Sequence, residues 1–369
     1  MDNNLVLTFP THSDLVNSIP SLVPFEAPEA LERRLGVRFE LRLGANESPF
    51  GPDPRAVEAM RTRVATSAHY GDPQCHALRE AIGAKHGVPM TNVAVASGID
   101  ELLLLCCRLF AGPGRQVLTT LGSYPTFDYA AYGVGAQIRR IPYRCDAPDL
   151  EALASAADAS IVYLANPDNP SGHLSSRGEV AHLRDALPAG ALLLLDEAYA
   201  DFVPPSLFPA VDLNDPGVVR LRTFSKAYGM AGMRVAYMLA HEEHVKALDK
   251  IRLHFGVNAV AQAGALASLA DDSYVSWVVE ETARQKARLV DIAASHGIPA
   301  FNSHTNFVPL DLGSRERAEA VLGSLLRHGV FVRKPSAPPL DRLVRVTVGT
   351  GHQVKRFAEI LPLALEDAC

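Results

Sequence analysis

The sequence has 369 residues, of which 48% are hydrophobic and 21% are charged, and its formal net charge at pH 7 is −6. This length allows a large core and more than one domain, and the composition is that of an ordinary globular protein. Because the mild negative charge is spread along the chain without a block of Lys and Arg, the sequence predicts neither a nucleic acid nor a membrane as partner.

The N-terminus and the cysteines predict a reduced, cytoplasmic protein. The opening segment MDNNLVLTFPTHSD is acidic at its start and has only a short apolar run, which fits neither a signal peptide nor a membrane span. The runs LLLLCCRLF and ALLLLD are also too short to cross a bilayer. An odd number of cysteines without a C-x-x-C pair argues against a complete disulfide framework. The cysteines are Cys75, Cys106, Cys107, Cys145 and Cys369.

From about residue 91 to residue 240, short apolar runs alternate with segments of helical composition. This alternation predicts an α/β domain with a mainly parallel sheet. Strands that are apolar throughout, such as ALLLL, are typical of burial on both faces. The predicted strands are NVAVAS, QVLTT, QIRRIPY, SIVYLAN, ALLLLDEA, VVRLRTF and RVAYMLA.

After residue 240 the pattern changes to longer helices followed by strands at NFVPLDL, VFVRK and LVRVTVG, which predicts a smaller α+β domain. The proline-rich first forty or so residues are expected to pack as an arm against this domain or against a neighbouring subunit. We therefore divide the chain into an N-terminal arm with part of the small domain (1–45), a large domain (46–255) and a small C-terminal domain (256–369).

Polar residues follow four of the predicted strands directly. In doubly wound sheets, ligands bind beyond the carboxyl ends of the strands, so these groups are expected to converge on one rim. The residues are Ser97, Gly98, Ile99 and Asp100; Asn166 and Asn169; Asp196 and Tyr199; and Thr223, Ser225 and Lys226.

Most of these groups also have an ordinary structural interpretation. Ser97 to Asp100 offer free N–H groups to a phosphate at a helix start, or they simply cap that helix. Arg234, with Thr223 and Ser225, completes a phosphate site or forms a surface ion pair. Asp196 ends a run of leucines and needs a cation, which is either a nearby Arg or Lys or a protonated heteroaromatic nitrogen. NPDNPSG is by itself a turn sequence.

Lys226 decides between these interpretations. It stands in TFSKAYGMAGMR, among small residues and glycines, directly after an apolar strand. A phosphate cradle, a buried acid, a tyrosine, an asparagine and a lysine on one rim describe a site for pyridoxal phosphate. In such sites the lysine forms a Schiff base and the acid pairs with the pyridinium nitrogen.

The segments ANESPFGP, NPDNPSG, DEAYADF, TFSKAYGMAGMR and VRVTVGT together resemble the class I/II aminotransferases of pyridoxal-phosphate fold type I. The resemblance is greatest to the histidinol-phosphate aminotransferase branch and extends over nearly the whole chain. It implies a mainly parallel, mixed seven-stranded sheet between helices, a smaller α+β domain, and a cytoplasmic homodimer that acts in amino-acid biosynthesis.

The resemblance also implies roles for single residues. Lys226 would carry the Schiff base and move the proton during transamination. Asp196 would hold the ring nitrogen protonated, and Asn169 and Tyr199 would hydrogen-bond the phenolic oxygen. Lys226, Asp196 and Tyr199 are thus the expected catalytic residues. The residues expected around the cofactor phosphate are Gly98, Ile99, Asp100, Thr223, Ser225 and Arg234.

Further positions follow from the same resemblance. Phe127 would stack on the cofactor ring, and Tyr70 would reach the cofactor phosphate of the other subunit, so that the site depends on a homodimer. Arg345 matches the arginine that binds the substrate anion, and Arg333 is a second candidate cation. Asn46 would lie near the substrate at the domain junction.

The resemblance implies ping-pong transfer of an amino group between a specific donor and the 2-oxoglutarate/glutamate pair. Histidinol phosphate has no α-carboxylate, so its phosphate must use the anion site that also binds glutamate, and Arg345 with Arg333 can serve both. Phe25 departs from the branch, which commonly has tyrosine at this position. The missing hydrogen bond to a charged group costs roughly 1.5–3 kcal/mol.

Other functions stay open at this point. An aromatic or another amino acid is an alternative donor, because related enzymes differ in a few pocket residues. A decarboxylase or lyase uses the same cofactor and fold. A non-catalytic module fused to a DNA-binding domain is disfavoured, because the sequence shows no helix-turn-helix extension and no basic tract.

Overall fold

The computed structural model describes residues 10–20, 25–155, 158–208 and 212–368. The apolar run near the N-terminus and Cys369 therefore lie outside the described residues. The strands are β1 Leu41–Arg42, β2 Val93–Ala96, β3 Gln116–Thr120, β4 Gln137–Ile141, β5 Ala159–Ala165, β6 Leu192–Asp196, β7 Val218–Thr223, β8 Ala236–Ala240, β9 Phe307–Asp311, β10 Val330–Phe331 and β11 Leu343–Thr347.

The helices of the same residues range from single turns to a long helix in the C-terminal part. Throughout the described ranges, no helix combines the length and apolar character that a bilayer crossing requires. The helices are α1 Asp14–Ser18, α2 Pro28–Leu35, α3 Pro54–Val64, α4 His76–His86, α5 Ile99–Phe110, α6 Thr126–Tyr132, α7 Leu150–Ala154, α8 Arg177–Ala186, α9 Glu242–Asp249, α10 Ala259–Ser268, α11 Ser273–Ser295, α12 Arg315–Arg327 and α13 Gly351–Glu366.

Within the described residues, the main sheet has seven strands in the order β2-β8-β7-β6-β5-β3-β4. Strand β8 runs antiparallel to both of its neighbours, and the other neighbouring pairs are parallel. The predicted mixed, mainly parallel seven-stranded sheet is therefore confirmed. Strands β5 and β6 are buried along their full length, because helices cover both faces of the sheet.

The two faces of the sheet have separate cores, and side chains alternate between them along each strand. In β5, Ile161 and Tyr163 pack with residues of α5 and α6, whereas Val162 and Leu164 pack with residues of α7 and α8. In β6, Leu194 belongs to the first face and Leu195 to the second. This alternation fixes which polar groups at the strand ends point to the same side.

The C-terminal part forms a second α+β unit with its own core. Strand β9 pairs antiparallel with β11, and β10 pairs parallel with β1 from the N-terminal part of the chain. Leu41 and Leu43 lie in this second core, so the segment before residue 46 packs on the C-terminal unit. The domain boundaries at residues 45 and 255 stay predictions.

Candidate active site

A cavity of about 430 Å³ lies beyond the carboxyl ends of β5, β6 and β7, beside β11 of the C-terminal unit. The strand-end rule predicts ligand binding at this position. The predicted residues that line this cavity are Phe25, Asn46, Ile99, Asp100, Asn169, Asp196, Tyr199, Thr223, Ser225, Lys226, Arg234, Arg333 and Arg345.

The small residues around Lys226 allow the chain to fold back tightly after β7. The Phe224 N–H donates to Val235 O at 3.2 Å, and the Met230 N–H donates to Phe224 O at 3.0 Å. Gly229 has a φ of +67°, and a Cβ there would lie 2.1 Å from the carbonyl oxygen of Gly51. A side chain at residue 229 would therefore collide with the backbone of the loop after Asn46, so glycine is required.

Lys226 points into the cavity, and its Nζ donates to the backbone oxygen of Asn46 at 3.1 Å. Among the described residues, no carboxylate lies within ion-pair distance of this amine. Burial, with a contribution from Arg345, lowers the pKa of Lys226 to about 8. The amine is therefore neutral in a sizeable fraction of molecules near neutral pH, which suits a nucleophile or a general base.

Asp196 ends β6 as a buried carboxylate. Its Oδ2 accepts from the Tyr163 hydroxyl at 2.8 Å and its Oδ1 accepts from the Ala198 N–H at 3.1 Å. Burial raises the pKa of Asp196 to about 6, and the two hydrogen bonds oppose that rise. The group is therefore ionised at neutral pH and can hold a cationic nitrogen in the cavity.

Asn46 joins three parts of the chain around Tyr199. Its Nδ2 donates to the Tyr199 hydroxyl at 2.8 Å, and its N–H and Oδ1 bond Thr347 Oγ1 at 3.0 and 3.1 Å. Asn46 has a φ of +54°, a left-handed conformation that asparagine tolerates better than most residues. Burial raises the pKa of Tyr199 to about 12, so the phenol keeps its proton at neutral pH.

At the other end of the cavity, Arg234 lies over the start of α5. A Cβ on Gly98, whose φ is +94°, would lie 2.3 Å from Arg234 Nη2, so the arginine occupies space that only a glycine leaves free. Arg234 Nη2 lies 3.3 Å from an oxygen of Asp100, and Nη1 lies 3.5 Å from Ser225 Oγ. Thr223 Oγ1 accepts from the Ser225 N–H at 3.0 Å. These hydroxyl, guanidinium and helix N–H groups together suit a phosphate.

Arg345 and Arg333 lie side by side at the end of the cavity formed by the C-terminal unit. Their backbones are bridged, with the Arg345 N–H donating to Arg333 O at 2.7 Å. Arg345 Nη1 donates to Asn169 Oδ1, whereas the buried Arg345 Nε has no partner in the described structure. Within the described ranges, neither arginine has a carboxylate at ion-pair distance. Two adjacent, uncompensated guanidinium groups are a site for an anion.

Aromatic rings hold Arg333 in place. Its guanidinium carbon lies 5.1 Å from the ring centroid of Phe25 and 5.4 Å from that of Phe331. Its Nη2 donates to the backbone oxygen of Glu26 at 3.1 Å. Phe25 is 40% exposed and its ring lies 5.9 Å from that of Tyr124, which also lines the cavity.

Phe127 is not at the cavity wall, so the prediction that it stacks on a bound ring is wrong in this structure. Phe127 lies in the first turn of α6 and is fully buried against the sheet, where its ring stacks on Tyr163 at 4.5 Å and 10°. The aromatic residue of this segment that lines the cavity is Tyr124, just before the helix, and its hydroxyl donates to Asp100 at 2.9 Å.

Two other predicted residues also lie outside the cavity lining. Gly98 lies under Arg234, where it makes room for the guanidinium. Tyr70 is 81% exposed and contacts Phe255, with the ring centroids 4.6 Å apart. A contact between Tyr70 and the site of a second subunit stays a prediction.

Several residues that the sequence patterns do not single out also shape the site. Tyr124 and Glu47 line the cavity. The Tyr163 hydroxyl contacts Asp196, and Asn306 Nδ2 donates to Asn46 O at 3.1 Å. Tyr163 had a signal, because it places a polar tip near the carboxyl end of a largely apolar strand. Asn306 had none, since it precedes β9 and reaches the site only through the tertiary fold.

Comparisons with known proteins agree on one family. The model of the family described as aminotransferase class I and II matches residues 40–361. The histidinol-phosphate aminotransferase of Moorella thermoacetica is 33% identical over 98% of this chain and 94% of its own length. That of a Jannaschia species is 36% identical over 84% of this chain and 87% of its own length.

A solved structure supports the same assignment. The histidinol-phosphate aminotransferase of Sinorhizobium meliloti, crystallised in complex with pyridoxal-5′-phosphate, is 38% identical to this chain. The comparison covers 98% of this chain and 99% of the other, with a TM-score of 0.94. On the family match and on these relatives, the chain belongs to the class I and II aminotransferases.

Proposed function

We propose that the protein transfers the amino group of histidinol phosphate, or of a closely related amine, to 2-oxoglutarate. The cofactor is pyridoxal phosphate, and the protein is an enzyme of the aminotransferase class. The observation that carries the substrate proposal is the pair Arg333 and Arg345, which lines the cavity from the C-terminal unit and has no carboxylate partner in the described structure.

The residues of the cavity fit this cofactor. Gly98 leaves space that Arg234 fills, and Arg234, Ser225 and Thr223 form an anion site near the start of α5. Lys226 supplies a half-buried amine without an acidic partner. The ionised Asp196 lies on the same side of the sheet as Tyr163, within the cavity.

When bound, pyridoxal phosphate supplies an electron sink for the carbanion formed next to the transferred amine. Lys226 is the base that moves the proton, because its pKa near 8 leaves it able both to take and to release one. Asp196 holds a positive charge at the ring nitrogen, and Tyr199, kept protonated by burial, donates a hydrogen bond within the cavity.

The two arginines account for the use of two different substrates. Histidinol phosphate has no α-carboxylate and presents a phosphate instead, whereas glutamate presents carboxylates, and both kinds of anion suit a pair of guanidinium groups. Because Arg333 is held by Phe25, Phe331 and a backbone oxygen rather than by an acid, its charge stays available to the substrate.

A half-reaction assay tests this proposal. The loaded protein is mixed with histidinol phosphate, glutamate, phenylalanine or tyrosine, and the change in cofactor absorbance is followed. We expect conversion with histidinol phosphate and glutamate, and formation of the corresponding oxo products. An unchanged spectrum with histidinol phosphate would overturn the substrate assignment, and release of CO₂ in place of an oxo product would indicate a decarboxylase.

An aromatic amino acid is the second candidate donor. Phe25 has no hydroxyl, and its ring together with that of Tyr124 forms an apolar wall of the cavity. Such a wall favours an aromatic side chain over a phosphate. Higher kcat/KM for phenylalanine than for histidinol phosphate in the same assay would select this alternative.

We further propose that the enzyme is a cytoplasmic homodimer in which Tyr70 reaches the site of the neighbouring subunit. The support is the exposure of Tyr70, which is 81%, and of its neighbour Phe255, which is 52%. The thiols of Cys75, Cys106 and Cys107 are buried and free, in keeping with a reducing compartment. A dimeric mass in solution, and complementation between Tyr70→Ala and Lys226→Ala chains mixed in one dimer, test the shared site.

A further inference from the structure

Two stacked aromatic rings, of which Tyr163 lines the cavity and Phe127 lies behind it, lead to the carboxylate of Asp196. The ring of Phe127 lies parallel to that of Tyr163, with the centroids 4.5 Å apart and an interplanar angle of 10°. The Tyr163 hydroxyl then lies 2.8 Å from Asp196 Oδ2. Both aromatic side chains are fully buried.

The strand register explains this contact. Tyr163 of β5 is opposite Leu194 of β6, so Asp196 is two residues further along the neighbouring strand and on the same face. Diagonal neighbours of this kind are within reach of an aromatic side chain. The contact is therefore built into the sheet and does not depend on a loop.

The hydroxyl of Tyr163 acts on Asp196 only as a hydrogen-bond donor. Burial and the neighbouring carboxylate raise the pKa of Tyr163 well above its usual value, so it stays a neutral donor. A donor aimed at a carboxylate favours the ionised form, and a second donor, the Ala198 N–H, binds the other oxygen. With both oxygens bonded, the carboxylate plane is fixed, and each oxygen keeps a further lone pair for a ligand in the cavity.

We propose that Tyr163 is a positioning residue of the active site, which holds Asp196 ionised and oriented toward the cofactor's ring nitrogen, with Phe127 fixing the tyrosine ring. This inference rests on the use of pyridoxal phosphate stated above. It also gives Phe127 a role different from the stacking on the cofactor that the sequence predicts. The other titratable groups that face Asp196 are Asp100, Lys226, Tyr124 and Tyr199.

Tyr163→Phe tests the proposal, because it removes the hydroxyl and keeps the stacked ring. Without this donor the carboxylate is protonated more readily, and the ring nitrogen loses part of its positive charge. The nitrogen that joins Lys226 to the cofactor then holds its proton more tightly. We expect the pH midpoint of the cofactor's visible absorbance to rise by about 0.5 or more, the dissociation constant of the cofactor to increase, and kcat to fall about tenfold with KM within about twofold.

Tyr237→Phe is the matched control. It removes another buried hydroxyl, which lies 2.9 Å from His86 Nε2 and outside the cavity lining. We expect a similar loss of thermal stability and an unchanged absorbance midpoint. If Tyr163→Phe shifts only the melting temperature, as this control does, its role is structural and the proposal is wrong.

Phe127→Leu gives a second test that does not depend on the first variant folding well. It keeps the Tyr163 hydroxyl but removes the ring that fixes it, so a smaller upward shift of the midpoint is expected. Parent-like midpoints in both variants would overturn the proposal. If the parent protein itself fails to bind pyridoxal phosphate, the result contradicts the proposed function rather than this inference.

Discussion

The two ends of the cavity are built on opposite principles. At the cofactor end, polar groups are already bonded to one another: Asp196 has two donors, and Tyr199 is bonded by Asn46. At the substrate end, Arg333 and Arg345 lack carboxylate partners within the described residues, and Arg345 Nε is buried without a hydrogen bond. One end is fixed before any ligand binds, whereas the other keeps its charge for the ligand.

The origin of the residues explains this difference. The acid and the lysine follow neighbouring strands of one sheet, which hold them in a rigid frame. The substrate end joins Phe25 from the N-terminal segment to two arginines of the C-terminal unit. We infer that the sheet sets the type of chemistry and that the junction of distant segments sets the substrate. Changes at the cofactor end should therefore lower kcat, and those at the substrate end should raise KM.

Lys226→Ala should have the largest effect. Among the described residues that line the cavity, Lys226 is the single lysine, so its loss removes both the nucleophile and the base. Turnover should fall at least about 10³-fold, and borohydride reduction should no longer attach the cofactor to the chain, as checked by mass spectrometry.

Lys286→Ala is the control for that variant. Its Nζ also donates to backbone oxygens, those of Ser303 at 2.5 Å and Thr305 at 3.3 Å, but it is outside the cavity lining. This variant should keep cofactor attachment and most of the turnover. Substantial turnover in Lys226→Ala would contradict the assignment of the chemistry to the cofactor end of the cavity.

Arg345→Lys should have the second-largest effect. It should show whether the substrate end of the cavity controls KM separately from kcat. It keeps the positive charge but loses the planar fork, so KM for both the amine and glutamate should rise about 10- to 100-fold with a smaller change in kcat. Arg342→Lys is the control, because Arg342 is on the same segment but pairs with Asp146 and Asp311. A fall in kcat at constant KM would contradict the division between the two ends.

The pH dependence of cofactor binding gives a smaller but direct test of the cofactor end. Burial and Arg345 lower the pKa of Lys226 to about 8, whereas Glu47 and Asp196 oppose this, and the neutral amine is the form that reacts. The rate at which the protein without cofactor reacts with pyridoxal phosphate should thus rise about tenfold per pH unit from pH ~6 and level off above pH ~8. Stopped-flow absorbance measures this rate, and a midpoint near that of a free lysine would show that the site does not perturb the amine.

Phe25→Tyr should have the smallest effect. The added hydroxyl can donate to the substrate anion beside Arg333, so KM for histidinol phosphate should fall about threefold to tenfold and KM for glutamate less. Phe110→Tyr, where the phenylalanine packs edge-on against His244 away from the cavity, is the control. An increase in KM for histidinol phosphate would favour an aromatic donor.

Much of the fold followed from local patterns, because apolar runs and their spacing report burial directly. The strand that ends at Asp196 was evident from four consecutive leucines, and the position of Lys226 after β7 placed it on the correct rim. Phe127 was misplaced because the direction of a side chain in a first helical turn depends on where the helix begins. Tyr163 was missed because the face of a buried strand that a residue occupies is set by its neighbours.

The sequence by itself determined the sheet, the rim on which the cofactor groups converge, and the family, since these depend on short segments and on their order along the chain. The tertiary structure decided which residues from distant parts of the chain contact one another. Asn46 meets Tyr199 and Thr347, and Arg333 lies between Phe25 and Phe331, through contacts between segments far apart in the chain. Such contacts depend on how the two units pack, and no local pattern of residues encodes that packing.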